Sequence, residues 1–281
     1  MTISIITSTY NSATTLRDTI ESVLSQTWTD IDYIIVDGGS TDETLQIIKQ
    51  NESRFHGKMR WVSEPDEGIY DAMNKGIAMA CGDVIGILNS DDVLFDNRVI
   101  ERVAKAFENP ETDCVFGDLL YVSRTDLNKI VRIWKGSPYE KGCFSKGWHP
   151  AHPTFYVRKE HFGRLGGYDT SLDISADFEF MLRYLEVHQL RSAYLPYFMV
   201  KMRTGGVSNG SVKGILTGNQ NIVKAFRKHG IPVSRFYMPI RITRKACDVI
   251  VSKIKLLRQK NKSQHDKDSS SSLQFFFRKN L

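Results

Sequence analysis

Two adjacent carboxylates, Asp91 and Asp92, stand two residues after an apolar segment at residues 85–88. Its uninterrupted apolar character predicts a buried strand that ends at the pair. Two like charges side by side repel each other unless a cation or solvent relieves the repulsion. Carboxylate oxygens suit Mg²⁺ or Mn²⁺, and such an ion can also contact phosphate oxygens. The pair alone is compatible with a metal site or with an exposed turn.

A third carboxylate, Asp177, begins an amphipathic pattern over residues 177–188 that predicts a helix. At a helix N-terminus a carboxylate stabilises the positive end of the helix dipole. A carboxylate that faces an acceptor hydroxyl can instead remove its proton as a general base. The residues around Asp177 do not decide between these two roles.

Polar residues also follow the first two predicted strands: Thr9, Tyr10 and Asn11 after the first, and Asp37 after the second. Open α/β sheets bind ligands at the carboxyl ends of their strands, so these residues could contact a base and a ribose. The alternatives are a helix N-cap for the first group and an Asp-Gly turn for Asp37. No Gly-x-Gly-x-x-Gly follows the first strand, which argues against a dinucleotide-dependent dehydrogenase.

The elements that would position these residues alternate through the first half of the chain. Strand patterns at residues 3–8, 33–36, 59–62 and 84–88 are separated by helical patterns at 14–26, 43–51 and 69–79. This alternation predicts parallel strands with crossover helices. After residue 113 we expect a hairpin from residues 115–121 and 130–134, followed by irregular chain and the helix at 177–188. The prediction is a mixed α/β fold.

Composition and charge bound the possibilities further. The chain has 281 residues, 41% of them apolar, which is enough for a large core. Its four cysteines are widely spaced, so we expect neither a zinc site nor a disulfide framework. Neither a secretory signal nor a membrane-spanning helix is expected from the apolar segments. Residues 1–200 hold 20 Lys and Arg against 29 Asp and Glu, whereas the remainder holds 18 against 3.

This basic C-terminal part is predicted to be helical over residues 209–260. Lysines and arginines alternate with apolar residues over 235–260, a pattern typical of a helix on an anionic membrane surface. The alternative is that its apolar stripe packs on the rest of the protein. Residues 261–281 contain four consecutive serines from Ser269 and are predicted to be disordered.

Five phrases, taken together and in this order, resemble glycosyltransferase family 2: SIITSTYN, IIVDGGSTDET, SEPDEGIYDAMNKGIAMACGDVIGILNSDD, GGYDTSLDISADFEFMLR and GGVS. They extend to about residue 208. The third is long enough to be specific and is similar to transferases of bacterial exopolysaccharides, colanic acid included. The resemblance implies the GT-A fold, a Rossmann-like mixed sheet flanked by helices. It also implies an inverting single displacement that moves a sugar from a nucleotide-diphosphate sugar to an acceptor hydroxyl.

The resemblance also implies roles for individual residues. Asp177 matches the catalytic base, His152 lies on the acceptor side, and Lys201 or Arg203 would steady the diphosphate. Mg²⁺ or Mn²⁺ would be held by Asp91 and Asp92, without indication of which is the direct ligand. The implied nucleotide contacts are Thr9, Tyr10, Asn11, Asp37, Asp66, Asn74, Lys75 and Asp91. The chain departs from the family pattern at Asn89 and Ala176, where many members have Asp and Glu.

On this basis we expect a catalytic domain at residues 1–208, with a nucleotide half to about residue 112 and an acceptor half from about 113. The acceptor is expected to be a glycan or a polyprenyl-diphosphate-linked sugar, at the cytoplasmic face of the membrane.

Two rival functions are weaker. A nucleotidyltransferase would carry a Gly- and Lys-rich loop after the first strand, and residues 7–15 contain neither residue. A nucleic-acid-binding protein would interleave aromatic and basic residues on its strands. The predicted strands of this chain do not show that pattern, so no nucleic-acid partner is expected.

Overall fold

The structure, a computed structural model, describes residues 1–205, 212–244, 246–247 and 249–252. The predicted helix over residues 253–260 and the predicted disorder of residues 261–281 lie outside the described residues. Within the described ranges, nine strands form one mixed sheet. They are β1 (Ile3–Thr9), β2 (Ile31–Asp37), β3 (Met59–Ser63), β4 (Val84–Ile87), β5 (Val93–Leu94), β6 (Cys114–Val122), β7 (Ile130–Trp134), β8 (Tyr156–Arg158) and β9 (Ser192–Arg203).

The sheet order is β3-β2-β1-β4-β8-β6-β9-β5, and β7 pairs with β6 outside this path. β1 runs parallel to both β2 and β4, and β2 runs parallel to β3. β8 pairs antiparallel with β4 and with β6 and so joins the two halves of the sheet. The parallel first half and the β6–β7 hairpin confirm the mixed α/β prediction.

Helices cover both faces of this sheet. They are α1 (Leu16–Leu24), α2 (Thr44–Glu52), α3 (Ile69–Met79), α4 (Val99–Ala106), α5 (Glu160–Leu165), α6 (Ala176–Met181) and α7 (Val212–Lys228). α6 continues as a π-helix over Leu182–Val187. After α7, residues 237–244, 246–247 and 249–252 are helical, and we call residues 235–252, as far as they are described, the C-terminal segment. In the described part of the chain, no helix is long and apolar enough to cross a membrane.

Every residue of β1 and β2 is buried, as expected for parallel strands covered by helices on both sides. Successive side chains of a strand point to opposite faces, so alternate residues enter different cores. One core joins Ile6, Ile34 and Val36 to α3 and α6. The other joins Ile5, Tyr33 and Ile35 to α1, α2 and α4. The cores fix the sheet, and with it the positions of the strand ends.

A buried ion-pair cluster holds α6 against α7. The carboxylate of Glu179 is fully buried and accepts hydrogen bonds from Arg183 Nε at 3.0 Å and from His229 Nε2 at 2.6 Å. Burial by itself would raise the pKa of Glu179, but the hydrogen bonds from His229 and Arg183 outweigh burial and lower it. Because Asp177 lies on the same short helix, this cluster also restrains the candidate base.

Candidate active site

The ends of the first three strands bring three predicted nucleotide contacts together. Thr9 is paired with Asp37 across β1 and β2, and the N–H of Gly38 donates to the Thr9 carbonyl at 2.9 Å. The carboxylate of Asp66 lies against Gly38, where a Cβ atom would collide with it. A side chain at residue 38 would therefore displace the Asp66 carboxylate from its position beside the strand ends.

Within this group, Asp37 and Thr9 differ in their hydrogen bonding. Asp37 is fully buried, and its carboxylate accepts hydrogen bonds from the N–H of Ser40 at 2.9 Å and from Ser63 Oγ at 2.7 Å. It therefore organises the glycine turn that follows β2. Thr9 Oγ1 is also buried but has no hydrogen-bond partner among the described residues. Since buried hydroxyl groups are normally paired, Thr9 Oγ1 has hydrogen-bonding capacity that the described residues do not use.

Tyr10 and Asn11 lie at the entrance to the strand edge. The Tyr10 side chain is 61% exposed, so its ring is available to a planar group such as a base. Asn11 adopts a positive φ of 47°, and its Oδ1 accepts a hydrogen bond from the N–H of Thr41 at 2.9 Å. This bond ties the loop after β1 to the loop after β2 and holds both in place.

Asn74 and Lys75, two of the predicted nucleotide contacts, are both bonded to neighbouring parts of the protein. Asn74 Nδ2 donates to the carbonyl of Tyr168 at 2.9 Å, and its Oδ1 accepts from the N–H of the same residue at 2.8 Å. Lys75 Nζ lies 2.9 Å from the Pro65 carbonyl and 3.0 Å from the Glu64 carboxylate. Their polar atoms are engaged by the protein, and Asn74 clamps α3 to the loop at residues 166–168.

The acidic pair divides into one buried and one partly exposed carboxylate. Asp92 is fully buried; its Oδ1 accepts from the N–H of Arg203 at 3.2 Å and its Oδ2 from Asn89 Nδ2 at 3.1 Å. Asp91 is partly exposed. Burial raises the pKa of both carboxyl groups, and for Asp92 the charge of Asp91 raises it further. The loop therefore places two carboxyl groups where solvent stabilises their charged forms poorly.

Arg203 supports this loop from β9. Its guanidinium donates to the Asp91 carbonyl at 2.7 Å and also pairs with Asp18 on α1. Lys201, the other residue expected at the diphosphate, lies over the ring of Phe95 at 5.7 Å from its centroid. Arg203 thus contacts the acidic loop directly, whereas the described contact of Lys201 is with an aromatic side chain.

The donor atoms of the acidic loop fit a divalent cation that a substrate helps to bind. Asn89 Oδ1 is buried without a hydrogen-bond partner among the described residues, and the Nδ2 of the same amide donates to Asp92. The described residues contain no cluster of three or more His, Cys, Asp or Glu side chains suited to a metal. Mg²⁺ is commonly held by only one or two carboxylates, with substrate phosphates and water completing its coordination. Asp91, Asp92 and Asn89 match that arrangement.

The candidate base Asp177 is the second residue of α6. The N-cap of this helix is Ser175, which has a positive φ of 70°. Asp177 Oδ1 accepts a hydrogen bond from the Tyr70 hydroxyl at 3.2 Å, and the residue lines a cleft of about 860 Å³. His152 lines the same cleft, with its Nε2 2.7 Å from the Tyr168 hydroxyl. Burial lowers the pKa of His152, while the charge of Asp177 opposes that shift.

The cleft connects Asp177 to the strand that supports the acidic loop. Tyr121 on β6 pairs with Met202 on β9, and both residues line the cleft together with Asp177. Arg203, the next residue of β9, donates its N–H to Asp92 and its guanidinium to the Asp91 carbonyl. The predicted metal site and the predicted base are thus connected through β9, although many residues separate them in the chain.

Comparison with known proteins agrees with this geometry. The family model described as "Glycosyl transferase family 2" matches residues 4–165. The chain belongs to glycosyltransferase family 2. It is 31% identical over 209 residues to a PGL/p-HBAD biosynthesis glycosyltransferase of Mycobacterium bovis, covering 73% of this chain and 78% of the relative.

Two solved structures show that this glycosyltransferase has the predicted GT-A fold. One is S. aureus TarS 1–349 in complex with UDP-GlcNAc, with a TM-score of 0.62, 17% identity and coverage of 86% of this chain and 70% of the other. The second is the mannosyltransferase PcManGT from Pyrobaculum calidifontis in complex with GDP-Man and Mn²⁺, with a TM-score of 0.60, 19% identity and coverage of 86% and 68%. The chain spans only 44% of the longer TarS structure.

Sequence reasoning did not identify Tyr70 as a residue of the glycosyltransferase site. The residue lies in the first turn of α3, and 107 positions separate it from Asp177. Its ring stacks on that of Tyr168 with 5.7 Å between the centroids. Burial, followed by the charge of Asp177, raises the pKa of Tyr70 well above its ordinary value, so the phenol remains a hydrogen-bond donor. No local pattern indicates this contact.

Proposed function

We propose that this glycosyltransferase moves a sugar from a nucleotide-diphosphate sugar to an acceptor hydroxyl in one metal-assisted, inverting displacement. The observation that supports this best is the connection between Asp177 and the acidic loop: Met202 lines the cleft that contains Asp177, and the next residue, Arg203, is bonded to Asp91 and Asp92. Asp177 takes the proton of the acceptor hydroxyl while that oxygen attacks the anomeric carbon. The bond from this carbon to the diphosphate oxygen breaks, and the diphosphate leaves with the electron pair. Attack opposite the leaving group inverts the configuration.

The nucleotide is assigned to the edge formed by the ends of β1, β2 and β3. Thr9 supplies an unpaired buried hydroxyl, Tyr10 an exposed ring and Asp66 a carboxylate held against Gly38. Asp91 is assigned as the direct metal ligand because the carboxylate of Asp92 is already bonded to Asn89 and to the N–H of Arg203. A bound Mg²⁺ or Mn²⁺ would offset the charge that develops on the departing diphosphate.

Donor binding gives the direct test. We expect one nucleotide sugar among UDP-, GDP- and TDP-linked donors to raise the unfolding temperature when Mn²⁺ is present. A donor at one hundred times its Kd stabilises the folded state by about 2.7 kcal/mol through mass action. Thermal unfolding of the full chain, with each donor and with Mn²⁺ alone as the control, measures the effect. If no donor protects the protein in the presence of Mn²⁺, the proposed function is wrong.

Tyr70 is proposed to position the base, and Tyr70→Phe tests this role. Removing the hydroxyl deletes a hydrogen bond to a charged group, an interaction worth about 1.5–3 kcal/mol. We therefore expect kcat to fall about ten- to a hundredfold, with little change in donor protection. Tyr139→Phe is the matched control, because its hydroxyl also donates to a carboxylate, Glu186, at 3.0 Å. A full rate for Tyr70→Phe, or an equal loss for Tyr139→Phe, would contradict the assignment.

We further propose that the enzyme acts in bacterial surface polysaccharide synthesis on a glycan or polyprenyl-diphosphate-linked acceptor, at the cytoplasmic membrane face. The C-terminal segment supports a membrane contact, since it exposes Phe236 and Ile240 at 56% and 46% beside Arg235 and Arg244. Basic residues next to exposed apolar ones suit an anionic bilayer surface.

Vesicle binding tests the membrane contact. We expect the full chain to co-sediment with phosphatidylglycerol vesicles and to dissociate as salt screens the attraction. Phosphatidylcholine vesicles should retain much less protein. The double substitution Phe236→Ser and Ile240→Ser should weaken binding, and the control Val187→Ser, at another exposed apolar residue, should not. Equal retention on both kinds of vesicle would count against an anionic surface as the partner.

A further inference from the structure

A stripe of polar residues runs along the side of α1 that contacts the acidic loop, residues 89–92. Thr19, Ser22 and Gln26 are spaced by three and four residues, so they share one side of the helix and its C-terminal end. Thr19 is fully buried, although α1 otherwise packs into an apolar core. A buried hydroxyl is unfavourable unless it is hydrogen-bonded, and a helix interior does not favour threonine. The hydrogen-bond partners of the stripe therefore indicate its role.

Thr19 is bonded to the backbone of the acidic loop on both sides of Asp91. Its Oγ1 donates to the Asp92 carbonyl at 2.7 Å and to the Ser90 carbonyl at 3.0 Å. The Asp91 carbonyl between them accepts a hydrogen bond from Arg203 Nη1 at 2.7 Å. Three successive carbonyl groups of the loop are thus held by side chains from α1 and β9.

The rest of the stripe holds the chain that follows the acidic loop. The N–H of Leu94 donates to Ser22 Oγ at 3.1 Å. Gln26 Nε2 donates to the Asp96 carbonyl at 2.7 Å, and Gln26 Oε1 accepts from the N–H of Ile100 at 3.0 Å. The polar side of α1 therefore follows the backbone from the acidic loop to the start of α4.

These contacts determine where the Asp91 carboxylate can lie. The peptide planes before and after a residue set its φ and ψ, and with them the direction of its side chain. The bonds to the three carbonyls fix these planes at Asp91, while the Asp91 side chain itself stays partly exposed. Asp18, the residue before Thr19, pairs with the guanidinium of Arg203, so α1 restrains both donors of the set.

From these contacts we propose that Thr19 is a positioning residue: its hydroxyl fixes the backbone on both sides of Asp91 and so the place at which that carboxylate holds a divalent cation. The part that concerns the cation rests on the proposed function, whereas the bracing of the loop by α1 does not. Because Thr19 is fully buried, it acts through Asp91 and not on the substrate. Substitution of a residue that orients a metal ligand typically weakens metal binding 10- to 100-fold.

Hydrogen–deuterium exchange of the metal-free full chain tests the bracing. Thr19→Val keeps nearly the same shape but removes the hydroxyl that bonds the two loop carbonyls. We expect peptides that cover residues 88–95 to exchange at least about tenfold faster, because loss of a buried hydrogen bond makes local opening easier. Thr19→Ser keeps the hydroxyl and should exchange as slowly as the unaltered protein.

Thr154→Val is the matched control. Thr154 is also fully buried, and its Oγ1 donates to the carbonyls of Ala151 at 2.7 Å and Gly117 at 3.2 Å, both outside the acidic loop. It should not speed exchange at residues 88–95. Circular dichroism checks that each variant folds, and Thr19→Ala repeats the test if the valine variant does not fold. Unchanged exchange in Thr19→Val, or an equal acceleration in Thr154→Val, would overturn the proposal.

A Mn²⁺ titration tests the consequence for the cation. It is followed by thermal unfolding with whichever UDP-, GDP- or TDP-linked donor protects the unaltered protein. The Mn²⁺ concentration that gives half of the protection should rise about tenfold or more in Thr19→Val, and less than about threefold in Thr19→Ser and Thr154→Val. An unchanged half-point in Thr19→Val would refute the positioning role and leave the transferase proposal standing. If no donor protects even the unaltered protein, the transferase proposal fails, and the exchange experiment alone decides whether Thr19 braces the loop.

Discussion

Asp177→Asn is expected to slow sugar transfer by about 10²–10⁴-fold, the usual contribution of a general base. The amide keeps nearly the same shape and can still accept the hydrogen bond from Tyr70, but it cannot take the proton of the acceptor. Donor protection by nucleotide sugar and Mn²⁺ should be unchanged, because Asp177 acts on the acceptor. The measurement is kcat at saturating donor and acceptor, beside thermal unfolding with the donor.

The matched control is Asp173→Asn, which removes an exposed carboxylate from the same loop, four residues before the base. It should retain nearly the full rate, and its comparison with Asp177→Asn separates loss of the base from a general change in charge. A rate for Asp177→Asn within about threefold of the unaltered enzyme, far below the expected factor, would remove this residue from the catalytic role.

Asp91→Asn is expected to eliminate the part of donor protection that requires Mn²⁺ and to reduce transfer about a hundredfold or more. Substitution of a residue that merely supports a metal ligand typically costs 10- to 100-fold, and loss of the ligand itself should cost at least as much. The neutral amide is a poorer ligand than a carboxylate for a hard cation. A Mn²⁺ titration followed by thermal unfolding, with and without the cognate donor, measures the loss.

Asp126→Asn, in the exposed connection between β6 and β7, serves as the control for removing one negative charge. Asp92→Asn provides the more informative comparison. Its carboxylate is buried and bonded to Asn89 and to the N–H of Arg203, so the substitution should alter thermal stability even without donor. If Asp91→Asn kept its Mn²⁺-dependent protection while Asp92→Asn lost it, the two assignments would have to be exchanged.

Much of the fold followed from local patterns. The alternation of buried strands with helical segments predicted the parallel first half, and the structure confirms it in the pairing of β1, β2, β3 and β4. The resemblance to family 2 glycosyltransferases and the GT-A fold are likewise confirmed. The domain boundaries near residues 112 and 208 remain predictions, as do the roles of the individual site residues.

The candidate site was harder to predict than the fold. For Asn74, the family resemblance implies a nucleotide contact, and this role stays a prediction; only the structure shows that its amide is bonded on both sides to the backbone of Tyr168. For the C-terminal segment, the basic and apolar pattern left membrane contact and packing on the domain as alternatives. The structure shows packing through Tyr237 and Ser252, and it leaves other apolar residues of the segment exposed.

The sequence by itself determined, to within one residue, where the parallel strands end, because an apolar run shows where a strand stops and parallel strands share one edge for their carboxyl ends. Tertiary structure alone decided which carboxylate of the acidic pair is buried and that Tyr70 meets Asp177 across 107 positions. It also decided that the C-terminal segment lines the cleft that contains Asp177. These contacts depend on how separate elements pack, and the local periodicity of side chains contains no information about distances between elements.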